Sequence, residues 1–242
     1  MKKIATAVLT LLIISTAFTA AHHKSQPRIL IFSKTNGYHH ASIATGIEAI
    51  KKLGAENGFL VDTTTDSLQF RKKTLKKYAA LIFLDPTGKV FGPDEEKALQ
   101  DYIHAGHGFV GIHAAADCEY NWQWYGDLVG GYFKSHPKQQ EAKVAVVDKD
   151  NPATQGIPDP WTHFDELYNY KYYNPGIKVL LKLDETSYTG GANGDNHPIA
   201  WYHEFEGGRS FYTGFGHTDA SWADPLFLHH VLAGIQYAIG KN

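Results

Sequence analysis

The segment Gly-Ile-His-Ala-Ala, residues 111–115, places His113 between small residues at the end of an apolar, strand-like run. Small neighbours allow the sharp strand-to-helix turn that carries the nucleophile of some hydrolases and lifts one side chain above the sheet. Histidine is a good metal ligand and acid–base group but a weak acyl nucleophile. We therefore expect His113 to project out of the core into a functional pocket; the alternative is a hydrogen-bonded histidine at a tight turn.

A second histidine, His217, follows another strand-like run within Phe-Gly-His-Thr-Asp, residues 215–219. Asp219 lies two residues later and is predicted to orient the imidazole. A carboxylate partner fixes the tautomer of a histidine and raises its basicity. The alternative is an ordinary turn histidine.

Two further motifs contain residues that can bind a metal or a substrate. His136 follows the paired glycines Gly130 and Gly131, which permit close backbone approach. Asp165 and Glu166 are adjacent, so in a strand they would point to opposite faces and only one can enter a given pocket. A solvated loop is the alternative for either motif.

These residues need a scaffold, and the sequence predicts one of alternating strands and helices. Short apolar runs predict strands at residues 28–33, 59–65, 79–84 and 108–112. Helical patterns between them begin at Ser42, a candidate N-cap, span residues 68–78, and begin again at Pro93. This alternation is typical of an α/β domain with a parallel sheet, in which ligands bind at the carboxyl ends of the strands.

Several polar residues near these strand ends are candidate substrate ligands: Asn36, His39, His40 and Asp117. Trp122 is a further candidate, because an aromatic ring can stack on the apolar face of a sugar. A place in the core is the simpler interpretation of that tryptophan.

The second half of the chain has a different pattern. Strand-like runs at residues 144–147, 179–183, 199–203 and 210–214 are separated by Gly, Asn and Asp turns, and a closing helix is predicted at 226–239. This predicts a mixed or antiparallel extension of the sheet. No repeat or linker divides the chain, so residues 22–242 are predicted to form a single domain.

The composition narrows the classes of function. The 242 residues include 14 His, 14 Tyr, 13 Phe and 5 Trp, which suits a metal or acid–base site and a sugar-binding surface. A formal net charge of −2 without a basic stripe argues against a nucleic-acid partner. The single cysteine, Cys118, excludes an intrachain disulfide and a four-thiolate metal site. No phosphate-binding or dinucleotide motif indicates a nucleotide cofactor.

Residues 1–21 have a basic start, a short apolar run and small residues at the end, which is the pattern of a secretory signal peptide. Cleavage after Ala21 would leave His22 as the first residue. We therefore expect export across the inner membrane, to the periplasm or the outside, with no membrane anchor after cleavage. The alternative is a cytosolic protein with an apolar N-terminus.

Five segments carry a resemblance to a known family: RILIFSKTNGYHHAS, GHGFVGIHAAAD, GGYFKSHP, the stretch from NPATQGIP to HFDELY, and HPIAWYHEFEGGRSFYTGFGH. In this order, from Arg28 to the final helix, the chain resembles the trehalose-utilisation (ThuA-like) family of the class I glutamine-amidotransferase-like superfamily. The resemblance implies a flavodoxin-like, three-layer α/β sandwich with a mostly parallel sheet.

Amidotransferases of that superfamily carry a cysteine where this chain has His113, so glutamine hydrolysis through a thioester is not implied. His217 and Asp219 resemble the later histidine–carboxylate pair. Two imidazoles would then face one pocket and, with a third ligand such as His136 or Glu166, would form a catalytic site for a divalent metal, with zinc as the first choice. The predicted metal set is His113, His136 and His217; a metal-free acid–base pair is equally compatible with the sequence.

The resemblance also implies carbohydrate catabolism, with a keto-disaccharide or keto-glycoside as substrate and a lyase, hydrolase or isomerase reaction. The catalytic candidates are then His113, Glu166, His217 and Asp219. The alternative is a non-catalytic carbohydrate-binding domain, whereas a peptidase or esterase would need Ser or Cys at position 113. A small-molecule carbohydrate is the expected partner, and assembly into a homo-oligomer is left open.

Overall fold

The computed structural model describes residues 26–241, and these form eleven β-strands and five α-helices. The predicted signal peptide, residues 1–21, and His22 lie outside the described residues. The strands are β1 (Arg28–Phe32), β2 (Leu60–Thr64), β3 (Ala80–Leu84), β4 (Gly108–Ile112), β5 (Gly131–Ser135), β6 (Gln140–Val146), β7 (Trp161–Asp165), β8 (Asn169–Tyr173), β9 (Lys178–Leu183), β10 (Pro198–Phe205) and β11 (Gly208–Thr213). The helices are α1 (Ile43–Asn57), α2 (Lys72–Leu75), α3 (Pro93–His104), α4 (Gln123–Val129) and α5 (Pro225–Ile239).

Nine strands form one sheet in the order β2-β1-β3-β4-β11-β10-β9-β6-β7. The first five strands in this order are parallel. The other four are each antiparallel to the neighbour before them. β5 and β8 pair in a separate antiparallel sheet. The predicted parallel sheet with an antiparallel extension is confirmed, although β11, from the end of the chain, returns to complete the parallel part.

Helices cover both faces of this sheet, because neighbouring residues of a strand point to opposite sides. In β11, Phe211 faces α5, where a Cβ added to Gly234 would lie 2.5 Å from the Phe211 ring. The next residue, Tyr212, faces the other side, in register with Phe83 of β3 through β4. That side is covered by α4, whose Tyr125 ring lies 5.9 Å from Phe83. The chain is therefore a three-layer, flavodoxin-like α/β sandwich, as the sequence predicts.

The prediction of one helix over residues 68–78 is wrong. The segment forms a 3-10 turn at Ser67–Gln69 and then only the four-residue helix α2. The Asp66 carboxylate accepts a hydrogen bond from the amide of Leu68, at 2.9 Å, and this local bond competes with helix formation. Like charges on the lysine-rich segment also disfavour a longer helix.

The carboxyl ends of the parallel strands meet at one edge of the sheet. Asp85 follows β3 and His113 follows β4 at this edge, and the segment containing His217 follows β11. β7 has the same direction as β11, since four antiparallel pairings separate the two strands. Its last residue, Asp165, and the next, Glu166, therefore reach the same edge from the far side of the sheet. Within the described part of the chain, no helix is long and apolar enough to cross a membrane.

Candidate functional site

Four side chains converge at this edge, His40, His113, Glu166 and His217, and each offers one ligand atom within 4.8 Å of the others. We call them the four-residue cluster. His113 Nε2 lies 3.1 Å from His217 Nδ1 and 3.3 Å from Glu166 Oε2, and His217 Nδ1 lies 3.2 Å from the same oxygen. Tetrahedral zinc with bonds of about 2.0–2.2 Å places neighbouring ligand atoms about 3.3–3.6 Å apart. The triangle is close to the size of one face of such a site.

The turn after β4 explains the small residues around His113. His113 has a left-handed backbone with φ of 43°, an uncommon conformation for a residue with a side chain. A Cβ added to Gly111 would lie 3.0 Å from the Tyr212 ring and 3.2 Å from the Cβ of Ala115, so glycine at this position permits close packing around the turn. However, the His113 ring is fully buried and lies 4.0 Å from the Tyr168 ring, centroid to centroid. The expectation that His113 projects out of the core is therefore wrong.

The hydrogen bonding of His113 fixes which nitrogen faces the cluster. Nδ1 lies 2.8 Å from the carbonyl oxygen of Gly214, which can only accept, so Nδ1 carries the proton. In a neutral ring, Nε2 then directs a lone pair at the carboxylate of Glu166. A metal ion or a second proton at Nε2 makes the contact favourable. Burial alone would lower the pKa of His113, but the hydrogen bond with Glu166 and the charges of Asp85 and Asp165 raise it, so without a metal the ring tends to hold the second proton. Metal-ligating histidines commonly have this arrangement, with the other ring nitrogen donating to a carbonyl.

The electrostatics of the cluster keep Glu166 ionised and His40 neutral. Burial raises the pKa of Glu166, but hydrogen bonds from His113 and His217 outweigh burial and hold that pKa well below its usual range. Burial, with the charges of His113 and His217, lowers the pKa of His40 to about 3, so this ring is neutral. His40 Nδ1 is buried and has no hydrogen-bond partner among the described residues. His40 offers one of its ring nitrogens to the cluster, and a buried nitrogen without a partner in such a ring fits a metal site.

Asp165 holds two members of the cluster from behind. Its Oδ2 accepts hydrogen bonds from the amide of Gly216 and the hydroxyl of Ser221, both at 2.7 Å. Its Oδ1 accepts from the amides of Glu166, at 2.8 Å, and His217, at 3.2 Å. Asp165 therefore fixes the backbone of both residues, while Glu166 enters the cluster. The expectation that only one of the adjacent acids can enter the pocket agrees with this geometry.

A second buried carboxylate, Asp85, supports the turn at His113. Its Oδ1 accepts a hydrogen bond from the amide of Ala114 at 3.3 Å, and the hydroxyl of Ser42 lies 3.5 Å from Oδ2. Burial raises the pKa of Asp85 to about 6. Ser42 is not the side-chain cap of α1 that the sequence predicts: it is already helical, with φ −66° and ψ −13°, and makes no capping hydrogen bond.

A cavity of about 270 Å³ opens onto the cluster through His40, Glu166 and His217. Its other walls are Tyr38, Phe133 and Tyr168, which are aromatic, and Asp117, His136 and Gln139, which are polar. Burial raises the pKa of Asp117. A larger cavity, of about 640 Å³, lies beside Lys76 and Arg209 and contains none of the cluster residues. The chemistry of the side chains therefore places the candidate site in the smaller cavity.

A family model named ThuA and described as trehalose utilisation matches residues 28–238. The chain belongs to the ThuA family. It is similar to a solved ThuA-like protein from Bacteroides uniformis, with 26% sequence identity and a TM-score of 0.78. The match covers 93% of this chain and 96% of that chain. A solved ThuA-like protein from Parabacteroides merdae is 20% identical to this chain, with a TM-score of 0.71. The match covers 90% of this chain and 91% of that chain. No curated protein matches the chain.

A β-galactosidase from Bacillus circulans shares the fold of this ThuA-family chain, at 12% identity and TM-score 0.58. The match covers 89% of this chain and 31% of that chain, so the likeness concerns a part of the larger enzyme. The resemblance to the trehalose-utilisation family is confirmed, and the family links the chain to carbohydrate metabolism.

His136 does not belong to the four-residue cluster. Its Nδ1 lies 3.1 Å from Glu166 Oε1, the oxygen on the outer side of the carboxylate, and 2.9 Å from the carbonyl oxygen of Pro137. The predicted ligand set of His113, His136 and His217 is corrected accordingly. The structure brings His113 and His217 together with Glu166, the alternative third ligand, and with His40, and it places His136 at the cavity wall.

Asp219 does not orient His217. Its Oδ1 accepts a hydrogen bond from the hydroxyl of Thr45, at 2.7 Å, in an exposed position. The carboxylate that holds His217 is Asp165, which accepts a hydrogen bond from the backbone amide. His217 and Asp219 are therefore close in the sequence, but their side chains do not pair in the folded chain.

Among the predicted substrate ligands, Asp117 lines the cavity and His40 belongs to the cluster. Tyr38 and Gln139 also line the cavity, and no sequence motif singles them out. For Tyr38 the available signal was its place two residues before His40, on the loop after β1.

The other three predicted substrate ligands lie outside the cavity lining. Asn36 is exposed and its amide donates to a backbone carbonyl oxygen. His39 is exposed, and its Nδ1 lies 3.2 Å from the hydroxyl of Thr35. Trp122 stacks on Trp124, with ring centroids 5.1 Å apart, and packs against the core.

Proposed function

We propose that this ThuA-family chain is a metal-dependent enzyme of sugar catabolism that acts on a keto-disaccharide or keto-glycoside. One observation carries the metal dependence: His40, His113, Glu166 and His217 each offer one ligand atom, and these four atoms lie within 4.8 Å of one another. A cation among these atoms would take a lone pair from each imidazole and balance the negative charge of the carboxylate. The family match supports a substrate from sugar metabolism.

His40, His113, Glu166 and His217 would hold the metal. Three imidazoles and one carboxylate are a typical donor set for zinc, which is the first choice. When bound, the ion supplies a Lewis acid for a sugar oxygen or lowers the pKa of a water molecule. The cavity lined by His40, Glu166 and His217 would give a sugar oxygen access to the bound ion.

Two residues of the cavity wall are placed for proton transfer. The Nδ1 atom of His136 faces two acceptors, Glu166 Oε1 and a backbone carbonyl, so it carries the proton and leaves Nε2 free as a base. Asp117 offers a carboxylate on the same cavity. A ketone acidifies the neighbouring C–H bond, so either group would serve as the base that removes this proton in an elimination or isomerisation.

A non-catalytic carbohydrate-binding domain is the second candidate. Such a domain would hold a sugar on a shallow aromatic strip. Convergent imidazoles and an ionised carboxylate at the end of a cavity favour catalysis instead, because perturbed titratable groups in a cavity are typical of active sites.

The test is to incubate the purified chain with 3-ketotrehalose or with trehalose, and to follow the sugars by NMR. The protein is used zinc-loaded, stripped with a chelator, and stripped then reloaded. We expect the zinc-loaded and reloaded samples to consume the keto sugar and to bind trehalose without changing it. Equal consumption by the stripped protein would show a metal-free acid–base pair, and binding without consumption would show a binding domain.

We also propose that the protein is exported to the periplasm or the outside. The proposal rests on the composition of residues 1–21. N-terminal sequencing of the protein purified from cells is expected to begin at His22, and a retained Met1 would contradict export by this route.

A further inference from the structure

Tyr38 stands at the mouth of the cavity with 65% of its surface exposed. It is the most exposed large apolar side chain among the described residues, ahead of Leu68 at 55%. Leu68 does not line the cavity, so Tyr38 combines the two properties of strong exposure and contact with the candidate site.

The loop that carries Tyr38 is anchored to the loop after β3. The hydroxyl of Thr87 donates a hydrogen bond to the carbonyl oxygen of Tyr38, at 2.8 Å, and accepts one from the amide of Gly37, at 3.1 Å. The backbone amide of Asn36 donates to the carbonyl oxygen of Thr87, at 2.9 Å. The backbone is therefore held while the ring extends into solvent, which lowers the entropy lost when a ligand binds to the ring.

The ring of Tyr38 has a free face. On its inner side it meets His40 edge-on, with centroids 4.9 Å apart, and lies nearly parallel to His217 at 6.5 Å. By contrast, the other exposed tyrosine near the cavity, Tyr120, has the ammonium group of Lys171 over its ring, 3.8 Å from the centroid. Of these two tyrosines, only Tyr38 can offer an open aromatic surface to a sugar.

The size of the cavity determines how much of a disaccharide it can hold. Its volume of about 270 Å³ is below the range of roughly 300–1,000 Å³ that is usual for pockets enclosing drug-sized ligands. We therefore assign one sugar ring to the cavity beside His217 and Glu166. The second ring of a disaccharide must then extend out of the mouth, where Tyr38 lies.

We propose that Tyr38 is the platform for the second sugar ring of a disaccharide, whose apolar C–H face stacks on the open side of the aromatic ring. This inference rests on the proposed function and deepens it, because it divides the site into two positions. The cavity holds the reacting ring, and Tyr38 selects substrates that carry a second one.

The experiment measures the binding of trehalose, which has two glucose rings, and of glucose, which has one, to the zinc-loaded chain by calorimetry. The variants are Tyr38→Ala, Tyr38→Phe, and Leu60→Ala as a control for an exposed apolar side chain away from the cavity, 41% exposed. We expect Tyr38→Ala to bind trehalose about tenfold more weakly, because the loss of an aromatic contact lowers affinity by about this factor. The same variant should bind glucose within about twofold of the original affinity. Tyr38→Phe and Leu60→Ala should behave like the original chain.

The outcomes separate this inference from the proposed function. Unchanged trehalose binding in Tyr38→Ala, or equal losses for trehalose and glucose, would overturn the two-position assignment while leaving a sugar-binding site. Failure of the unsubstituted chain to bind either sugar would contradict the sugar assignment itself, and the role of Tyr38 with it. The zinc affinity of Tyr38→Ala is measured as well, because Tyr38 contacts His40; a loss there would show that the ring protects the cluster rather than binding sugar.

Discussion

Replacing His113 by Asn should abolish zinc binding and turnover while preserving the fold. Asparagine tolerates the left-handed backbone of this position, and its amide nitrogen can donate to Gly214 as Nδ1 of His113 does. It has no atom at the position of Nε2, so the cluster loses one ligand. We expect zinc affinity to fall by more than about 100-fold, because even changes behind the ligands cost 10–100-fold.

His136→Asn is the matched control for this substitution. The contact of His136 with the cluster is to the outer oxygen of Glu166, and 43% of its side chain is exposed, so its replacement should lower zinc affinity by about tenfold at most. Zinc titration and thermal unfolding of both variants are compared. If His113→Asn keeps the original zinc affinity, His113 is not a ligand. If it fails to fold, the buried ring is structural, and His217→Asn then tests the cluster at a less buried ligand.

Replacing Asp165 by Asn should destabilise the protein and weaken metal binding together. The carboxylate accepts four hydrogen bonds, two at each oxygen. Asparagine has one acceptor oxygen, so in either orientation its amide nitrogen would face at least one backbone N–H: that of Gly216, or those of Glu166 and His217. A buried donor without an acceptor costs about 1–3 kcal/mol, so we expect the free energy of unfolding to fall by about 3 kcal/mol. Because Glu166 and His217 both lose their support, zinc affinity should fall by about 10–100-fold.

Asp219→Asn is the matched control for Asp165→Asn, since it makes the same chemical change at the carboxylate that the sequence favours as the partner of His217. Asp219 accepts a hydrogen bond from Thr45 at an exposed position, so its replacement should change the free energy of unfolding by no more than about 0.5 kcal/mol. Urea unfolding and zinc titration are measured for both variants. If Asp165→Asn has the same free energy of unfolding and the same zinc affinity as Asp219→Asn, the positioning role of Asp165 is contradicted.

The sequence predicts the parallel part of the fold well because its signals are local. β3 and β4 are continuous apolar runs that end in polar residues, and a buried strand requires that pattern. The rule that ligands bind at strand carboxyl ends then leads directly to His113 and to His217. β5 and β8 have five residues each, like β3 and β4, but both contain polar residues among the aromatic ones. They pair outside the main sheet, and no apolar run reveals them.

The full ligand set could not be predicted, because it depends on contacts between distant segments. Glu166 reaches the cluster only because four antiparallel pairings return β7 to the direction of β11. Asp165, which lies 52 residues before His217 in the chain, replaces the nearby Asp219 as the supporting carboxylate. The sequence favours His136 as a metal ligand and His40 as a substrate ligand, whereas the packing of their loops places His40 inside the cluster and His136 outside it.

The central claim, that His40, His113, Glu166 and His217 bind one metal ion, is tested most directly by a crystal structure of the zinc-loaded protein. Diffraction data collected above and below the zinc absorption edge locate the ion without assumptions about its ligands. We predict a single strong anomalous peak about 2.0–2.2 Å from His113 Nε2, His217 Nδ1 and Glu166 Oε2, with His40 completing the coordination. A peak elsewhere, or no peak with Glu166 hydrogen-bonded directly to a doubly protonated His113, would contradict the account.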